Sequence, residues 1–185
     1  DFGDYNRDGW LDIFVTNITD EYMRECNMLW HNNGDGTLVD LSRETGVCDT
    51  DWGWAGKFGD FDNDGDLDLI TQSPYYLFLN DGDGTFSDVS SQQSEEHLGT
   101  IGDLNLDGFL DMWFAGVYHN RGNENHHLRV VVEGTESNRS GIGTMLIATA
   151  GSRRLVRGVR SGNGFHQQEM VVHFGLESET RVDQL

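Results

Sequence analysis

At 185 residues the chain is long enough for one or two domains with real cores. Its formal net charge of −20 excludes the salt-driven phosphate binding of a basic protein, and no apolar run approaches the roughly 20 residues that cross a bilayer. Abundant glycine (24), a single proline and 36% hydrophobic residues suit short strands joined by tight turns better than long helices.

The charge is unevenly spread. Residues 1–125 carry 26 acidic and 5 basic side chains, whereas residues 126–185 carry 6 and 7. That step divides the chain into an acidic repeat region, 1–124, and a near-neutral region, 125–185. The 11% of aromatic residues argues for a folded chain despite the acidity.

In chain order, the first element is "FGDYNRDGWLDIFV" (2–15), which recurs as "FGDFDNDGDLDLIT" (58–71) and "IGDLNLDGFLDMWF" (101–114). Each copy alternates oxygen-bearing side chains around one glycine and then turns apolar. A second element follows the first two copies, "LWHNNGDGTLVDL" (29–41) and "LFLNDGDGTFSDV" (77–89), and only begins after the third, "VYHNRGNENHHL" (117–128). Alternation around each acidic loop predicts a hairpin, with strands at 54–61 and 67–71. Tyr76–Asn80 and Thr85–Val89 read as the next pair, turning at "DGDG". A unit of about 43 residues with four strands is the signature of a propeller blade. The fold expected is therefore all-β: about two and a half four-stranded blades of a partial β-propeller, then a small β-sandwich or barrel-like domain.

The first repeat is longer than the second, with excursions near 17–26 and 47–54. Cys26 and Cys48 sit beside these excursions. They read equally as a disulfide in an oxidising compartment or as two free core thiols.

Calcium takes six to eight oxygen ligands in flexible geometry. Loop positions 1, 3, 5 and 9 supply side-chain oxygens, position 7 a backbone carbonyl, and the glycine at position 6 the turn. The ligands expected are Asp4, Asn6, Asp8, the Trp10 carbonyl and Asp12 in the first loop. They are Asp60, Asp62, Asp64, the Asp66 carbonyl and Asp68 in the second, and Asp103, Asn105, Asp107, the Phe109 carbonyl and Asp111 in the third. About three Ca²⁺ sites follow. An EF-hand would need a glutamate at position 12, where Val15, Thr71 and Phe114 stand. An acidic turn without metal suits "NNGDGT" and "NDGDGT", but not three copies that keep acids at positions 1, 5 and 9, as the second loop does. There, crowded carboxylates would repel at about 1 kcal/mol each.

These loops and the "LxxNxGDGTF" element resemble FG-GAP/VCBS repeats, the blades of integrin-α-like calcium-binding propellers. The strings "NHHLRVVVEGTESNRSGIGTMLIATAG" (125–151), "VRSGNGF" (159–165) and "VVHFGL" (171–176) are similar to the ASPIC/UnbV domain. Together they resemble the cartilage acidic protein 1 group and its bacterial relatives. That resemblance implies more blades than are present and a tryptophan–proline–serine–glycine segment past Leu185, so the sequence reads as a fragment with an exposed sheet edge. It carries no visible signal peptide.

Toward the C-terminus, 128–133, 144–150 and 170–174 read as strands. Arg153, Arg154, Arg157 and Arg160 read as solvated strand and loop positions, with an anion site as the alternative. His126 and His127 are adjacent and would face opposite sides of a strand; His166 and His173 read as structural. No Gly-x-Ser-x-Gly, His-Glu-x-x-His or Cys-x-x-Cys occurs. The expectation is a non-enzymatic, secreted, periplasmic or cell-surface calcium-binding protein. Its partner would be an extracellular protein or glycan, with no nucleic acid and no membrane insertion. The alternatives are a propeller-based hydrolase or lyase, and a carbohydrate-binding module suggested by Trp10, Trp30, Trp52, Trp54 and Trp113, which otherwise read as packing residues.

Overall fold

The computed structural model describes residues 1–18, 25–72, 75–90, 99–114, 116–136, 138–163, 166–167 and 169–185. Sequence expectations that touch 19–24, Ser137, Phe165 or the side chain of His166 lie outside the described residues. Among the described residues every regular element is a β-strand, so the chain is all-β. No helix among the described residues is long and apolar enough to cross a membrane.

The described residues form two compact units. The first comprises Asp1–Gly59 and Asp66–Gly99. It holds two four-stranded antiparallel sheets in which each strand pairs with the next in sequence. The first sheet is β1 (Phe2–Gly3), β2 (Asp12–Val15), β3 (Met28–Asn32) and β4 (Leu38–Asp40). The second is β5 (Ala55–Gly59), β6 (Asp68–Gln72), β7 (Tyr76–Asn80) and β8 (Phe86–Asp88). Both strand pairs expected around the second loop are present: β7 has the expected bounds, β5 and β8 are shorter at both ends, and β6 lies one residue later. Every residue of β6 is buried and β4 is exposed throughout, as befits an inner and an outer strand.

The two sheets share one apolar core that includes Phe14, Leu29, Phe58, Leu69, Tyr76, Phe78 and Phe86. Gly3 makes this contact possible, since a Cβ there would lie 2.7 Å from the Phe58 ring. Cys26, just before β3, and Cys48, in the β4–β5 connection, form a disulfide. Beside it the fully buried Asn27 donates to the Val47 carbonyl at 3.0 Å and the Thr50 hydroxyl at 2.7 Å. Its Oδ1 accepts the Asn17 N–H. The disulfide reading of the cysteines thus holds.

The second unit comprises Asp60–Gly65 and Thr100–Leu185. Its three-stranded sheet is β9 (Thr100–Gly102), β10 (Asp111–Phe114) and β11 (Gly116–Tyr118), one strand more than the half-blade expected from the third repeat. The remaining strands are β12 (His126–Val131), β13 (Met145–Ala150), β14 (Arg153–Gly158), β15 (Gly162–Asn163), β16 (His166–Gln167) and β17 (Val171–Glu177). β12 pairs with β17, β13 with β14, and β15 with β16, all antiparallel. Ala148, Leu155, Val159, Val172, Phe174 and Leu176 form the core of these strands. A register shift between His126 and His127 breaks the simple alternation expected there, and the His127 ring stacks on His173 at 5.8 Å.

Four of the five tryptophans differ from the packing role expected of them. Trp10, Trp52, Trp54 and Trp113 are each about half exposed.

Candidate metal centres

Each acidic loop closes the hairpin between the first two strands of its sheet. The register is the same in all three: Gly3 pairs with Asp12, Gly59 with Asp68 and Gly102 with Asp111. Position 6 is a glycine with φ of 95°, 95° and 92° in the three loops. Position 4 is also left-handed, at Arg7 (60°), Asn63 (60°) and Leu106 (62°). A side chain costs roughly 1–2 kcal/mol in that conformation. Since three different residues accept it, the path of the loop imposes it.

Within that path the oxygens brace one another. Asn6 Oδ1, Asp62 Oδ1 and Asn105 Oδ1 accept the N–H of position 5 at 3.2, 3.1 and 3.0 Å. Asp8 and Asp107 accept the N–H of position 7 at 2.8 and 3.0 Å. At position 9, Asp12, Asp68 and Asp111 each accept the backbone N–H of an asparagine, Asn32, Asn80 and Asn120, at 2.8, 2.9 and 2.8 Å. The Asp66 side chain is engaged by Arg7 at 2.7 Å, which fits a position where only the carbonyl is needed.

Those asparagines, which from sequence read as plain turn formers, tie the acidic loops to the turns that follow them. Asn80 Nδ2 donates to Leu67 O in its own loop and to Tyr5 O in the preceding one. Asn120 repeats the arrangement with Leu110 O and Phe61 O. Each Oδ1 also accepts the N–H of the following Asn-x-Gly glycine, so one side chain fixes a turn and two loops. Recurrence of the asparagine in all three repeats was the available signal.

In the second loop, one oxygen each of Asp60, Asp62 and Asp68 lie within 4.8 Å of one another. The acids of the first and third loops keep the backbone path without being drawn that close, and no other acidic, histidine or cysteine trio among the described residues meets that spacing. Asp60 and Asp103, at position 1 of the second and third loops, each use Oδ2 for a backbone N–H, from Gly175 and Gly108. Their Oδ1 atoms are buried without a hydrogen-bond partner. A buried carboxylate oxygen left unsatisfied is costly unless something positive meets it. Burial, with Asp64 adding to it and the Arg157 guanidinium opposing it, pushes the Asp60 carboxyl up to about 7. Burial also raises Asp12, and burial together with the Asp64 charge raises Asp62. An all-oxygen donor set of this kind fits a hard divalent cation.

Beside these loops lies a polar cavity of about 450 Å³ in the first unit, lined by Tyr5, Arg7, His31, Glu44, Asp66 and Asn80. Burial, then the charges of Asp12 and Asp8, push the Tyr5 hydroxyl up to about 12, so it stays protonated there.

The second loop is also held from outside. All five carbonyls from Phe61 to Gly65 have donors within the second unit: Asn120, then Asn123 with Asn125, then the Glu177 N–H, Arg153 and Arg157. Asn63 Oδ1 lies 2.6 Å from His173 Nε2, and its Nδ2 donates to the Gly108 carbonyl. Arg153 and Arg157 are therefore not the solvated positions expected of them. Arg157 is buried, and β14 brings both to one loop.

Residues 4–71 match the family described as FG-GAP-like repeat, and residues 134–185 match the family described as ASPIC and UnbV. Cartilage acidic protein 1 of Xenopus tropicalis is 30% identical over 115 residues, which is 56% of this chain and 18% of that protein. The Homo sapiens protein of the same name is 29% identical over 116 residues, 57% of this chain and again 18% of the relative. The match thus spans about a fifth of the length of these curated relatives. The resemblance drawn from the acidic loops and the C-terminal strings holds.

Proposed function

Taking the chain as FG-GAP-like repeats joined to an ASPIC/UnbV segment, we propose that it is a non-enzymatic extracellular calcium-binding protein. Its loops, made rigid by Ca²⁺, present a surface to a protein or glycan partner. The observation that carries this reading is the pair of buried oxygens, Asp60 Oδ1 and Asp103 Oδ1, left without hydrogen-bond partners at the first position of two loops. The residues that would hold Ca²⁺ are the side chains at positions 1, 3, 5 and 9 of each loop with the carbonyls of Trp10, Asp66 and Phe109. Bound calcium supplies charge neutralisation, and the chain supplies the prearranged path. The Cys26–Cys48 disulfide suits secretion or a periplasmic or cell-surface setting. Extracellular modules of this type hold calcium at about 10⁻⁴–10⁻³ M, which external concentrations keep filled.

Thermal melts with calcium and with a chelator test this. Calcium should raise the midpoint, because a ligand bound by the folded chain alone stabilises it by RT ln(1 + [L]/Kd). Coincident melts would count against the reading.

A second reading, a glycan platform, is favoured by one feature. Trp52 and Trp54 are exposed and stack with ring centroids 6.4 Å apart and planes inclined by 26°. Sugar faces pack on such rings. Glycan-array binding lost in Trp54→Ala would support it, and an array without signal would remove it.

A further inference from the structure

Two of the three acidic loops meet an arginine at the same place. In the second loop Arg157 Nη2 lies 3.6 Å from Asp60 Oδ2 and donates to the Gly65 carbonyl at 3.0 Å. In the third loop Arg129 Nη1 lies 3.4 Å from Asp103 Oδ2. Arg157 stands on β14 and Arg129 on β12, so both come from the C-terminal strands. Both address position 1, and both face the outer oxygen, the one already holding a backbone N–H. The inner oxygen of each aspartate stays unsatisfied.

We propose that Arg157 and Arg129 are built-in counter-ions of the second and third loops. They brace each buried aspartate and keep the C-terminal strands seated when calcium is scarce, and they lower the affinity of those loops for the ion. This rests on the calcium reading above and adds the residues that set affinity.

Two effects of each arginine oppose one another. Its contact with Oδ2 helps aim Oδ1 inward, which favours calcium, but a hydrogen bond to a charged group nets only modest stabilisation. Its charge repels a divalent cation a few ångströms away, and even at the dielectric of water that repulsion weakens binding on the order of tenfold. Burial of Arg157 and Asp60 strengthens both effects, but the ion carries two charges against the aspartate's one, so the repulsion grows more. Repulsion therefore decides the sign. The effect is smaller at the third loop, because Arg129 also pairs with Glu169, whose charge offsets part of its own.

The experiment is calorimetric titration of the full chain with CaCl₂, in wild type, Arg157→Gln, Arg157→Lys and Arg129→Gln, with thermal melts of each in chelator and in calcium. In Arg157→Gln one class of site should tighten by about tenfold. Arg129→Gln should tighten another by a smaller factor, and Arg157→Lys, which keeps the charge, should follow wild type. The chelator melt of each glutamine variant should fall while its rise on calcium addition grows. Glutamine variants that bind calcium with unchanged or weaker affinity overturn the proposal, as does Arg157→Lys tightening like Arg157→Gln. If Arg157→Gln gives no cooperative melt even in calcium, the sign at Arg129→Gln decides. Wild type that takes up no calcium overturns the calcium reading and this proposal together; calcium-binding wild type with unaltered variants overturns this proposal alone.

Discussion

Two kinds of acidic turn sit side by side in each of the first two repeats, and their chemistry differs. In the Asn-x-Gly-Asp-Gly-Thr turns between β3 and β4 and between β7 and β8, Asp35 and Asp83 are exposed. Each Oδ1 accepts both the N–H and the hydroxyl of the threonine two residues on, the hydroxyl at 2.6 Å. Those bonds, the hydroxyl first, hold both carboxyls below their ordinary range. In the second and third acidic loops the leading aspartates are buried, and each keeps one oxygen without a hydrogen-bond partner. Acid content alone does not mark a cation site. On the calcium reading, what marks one is where the acid's acceptors are spent.

The comparison breaks most visibly at the buried acids. Asp60→Ala and Asp103→Ala should each remove one calcium site and lower the midpoint measured in calcium. At calcium one hundred times Kd, the linked stabilisation at stake is about 2.7 kcal/mol per site. Calorimetric stoichiometry alongside the melts checks both effects.

Next in size is the pinning asparagine. Asn80→Ala leaves Tyr5 O and Leu67 O without their side-chain donor and frees the Gly82 N–H, a loss of roughly 2–4 kcal/mol. Denaturant unfolding, with calcium and with chelator, measures it. The destabilisation should persist in both conditions, because the bonds are protein's own.

A smaller, pH-linked effect sharpens the contrast within the second unit. Burial, then the nearby charges of His127, Arg157 and Arg129, hold His173 down to about 3. A histidine whose folded value lies below its unfolded value of about 6.5 contributes stability that is full above that value. The contribution falls away as pH drops from 6.5 toward 3. His173→Gln should flatten the loss of stability between pH 7 and pH 5 relative to wild type. Parallel profiles would remove His173 from the account.

The smallest effect belongs to the other kind of turn. Asp35→Ser and Asp83→Ser should leave calcium stoichiometry and the calcium-induced rise in melting temperature as in wild type.

The sequence showed the loops and hairpins because their signals are local: oxygens two residues apart, a glycine at position 6, and apolar alternation on either side. It also showed that the third sheet is short of a four-stranded blade, since the third repeat visibly stops after its opening, though three strands form where about two were expected. The left-handed position 4 was hidden, because Arg7 and Leu106 carry no mark of that conformation. The arginine contacts were hidden for another reason. Arg157 and Gly65 are 92 residues apart, and nothing local distinguishes an arginine that reaches a loop from one in water. The tryptophans misled because size suggests packing, while their placement leaves four of them about half exposed.

The most direct test of the central claim is equilibrium dialysis of the chelator-stripped full chain against radioactive calcium at millimolar concentration. The account predicts about three ions per chain, falling by one with each of Asp4→Ala, Asp60→Ala and Asp103→Ala. Uptake of no calcium, or uptake that those substitutions leave unchanged, would contradict it.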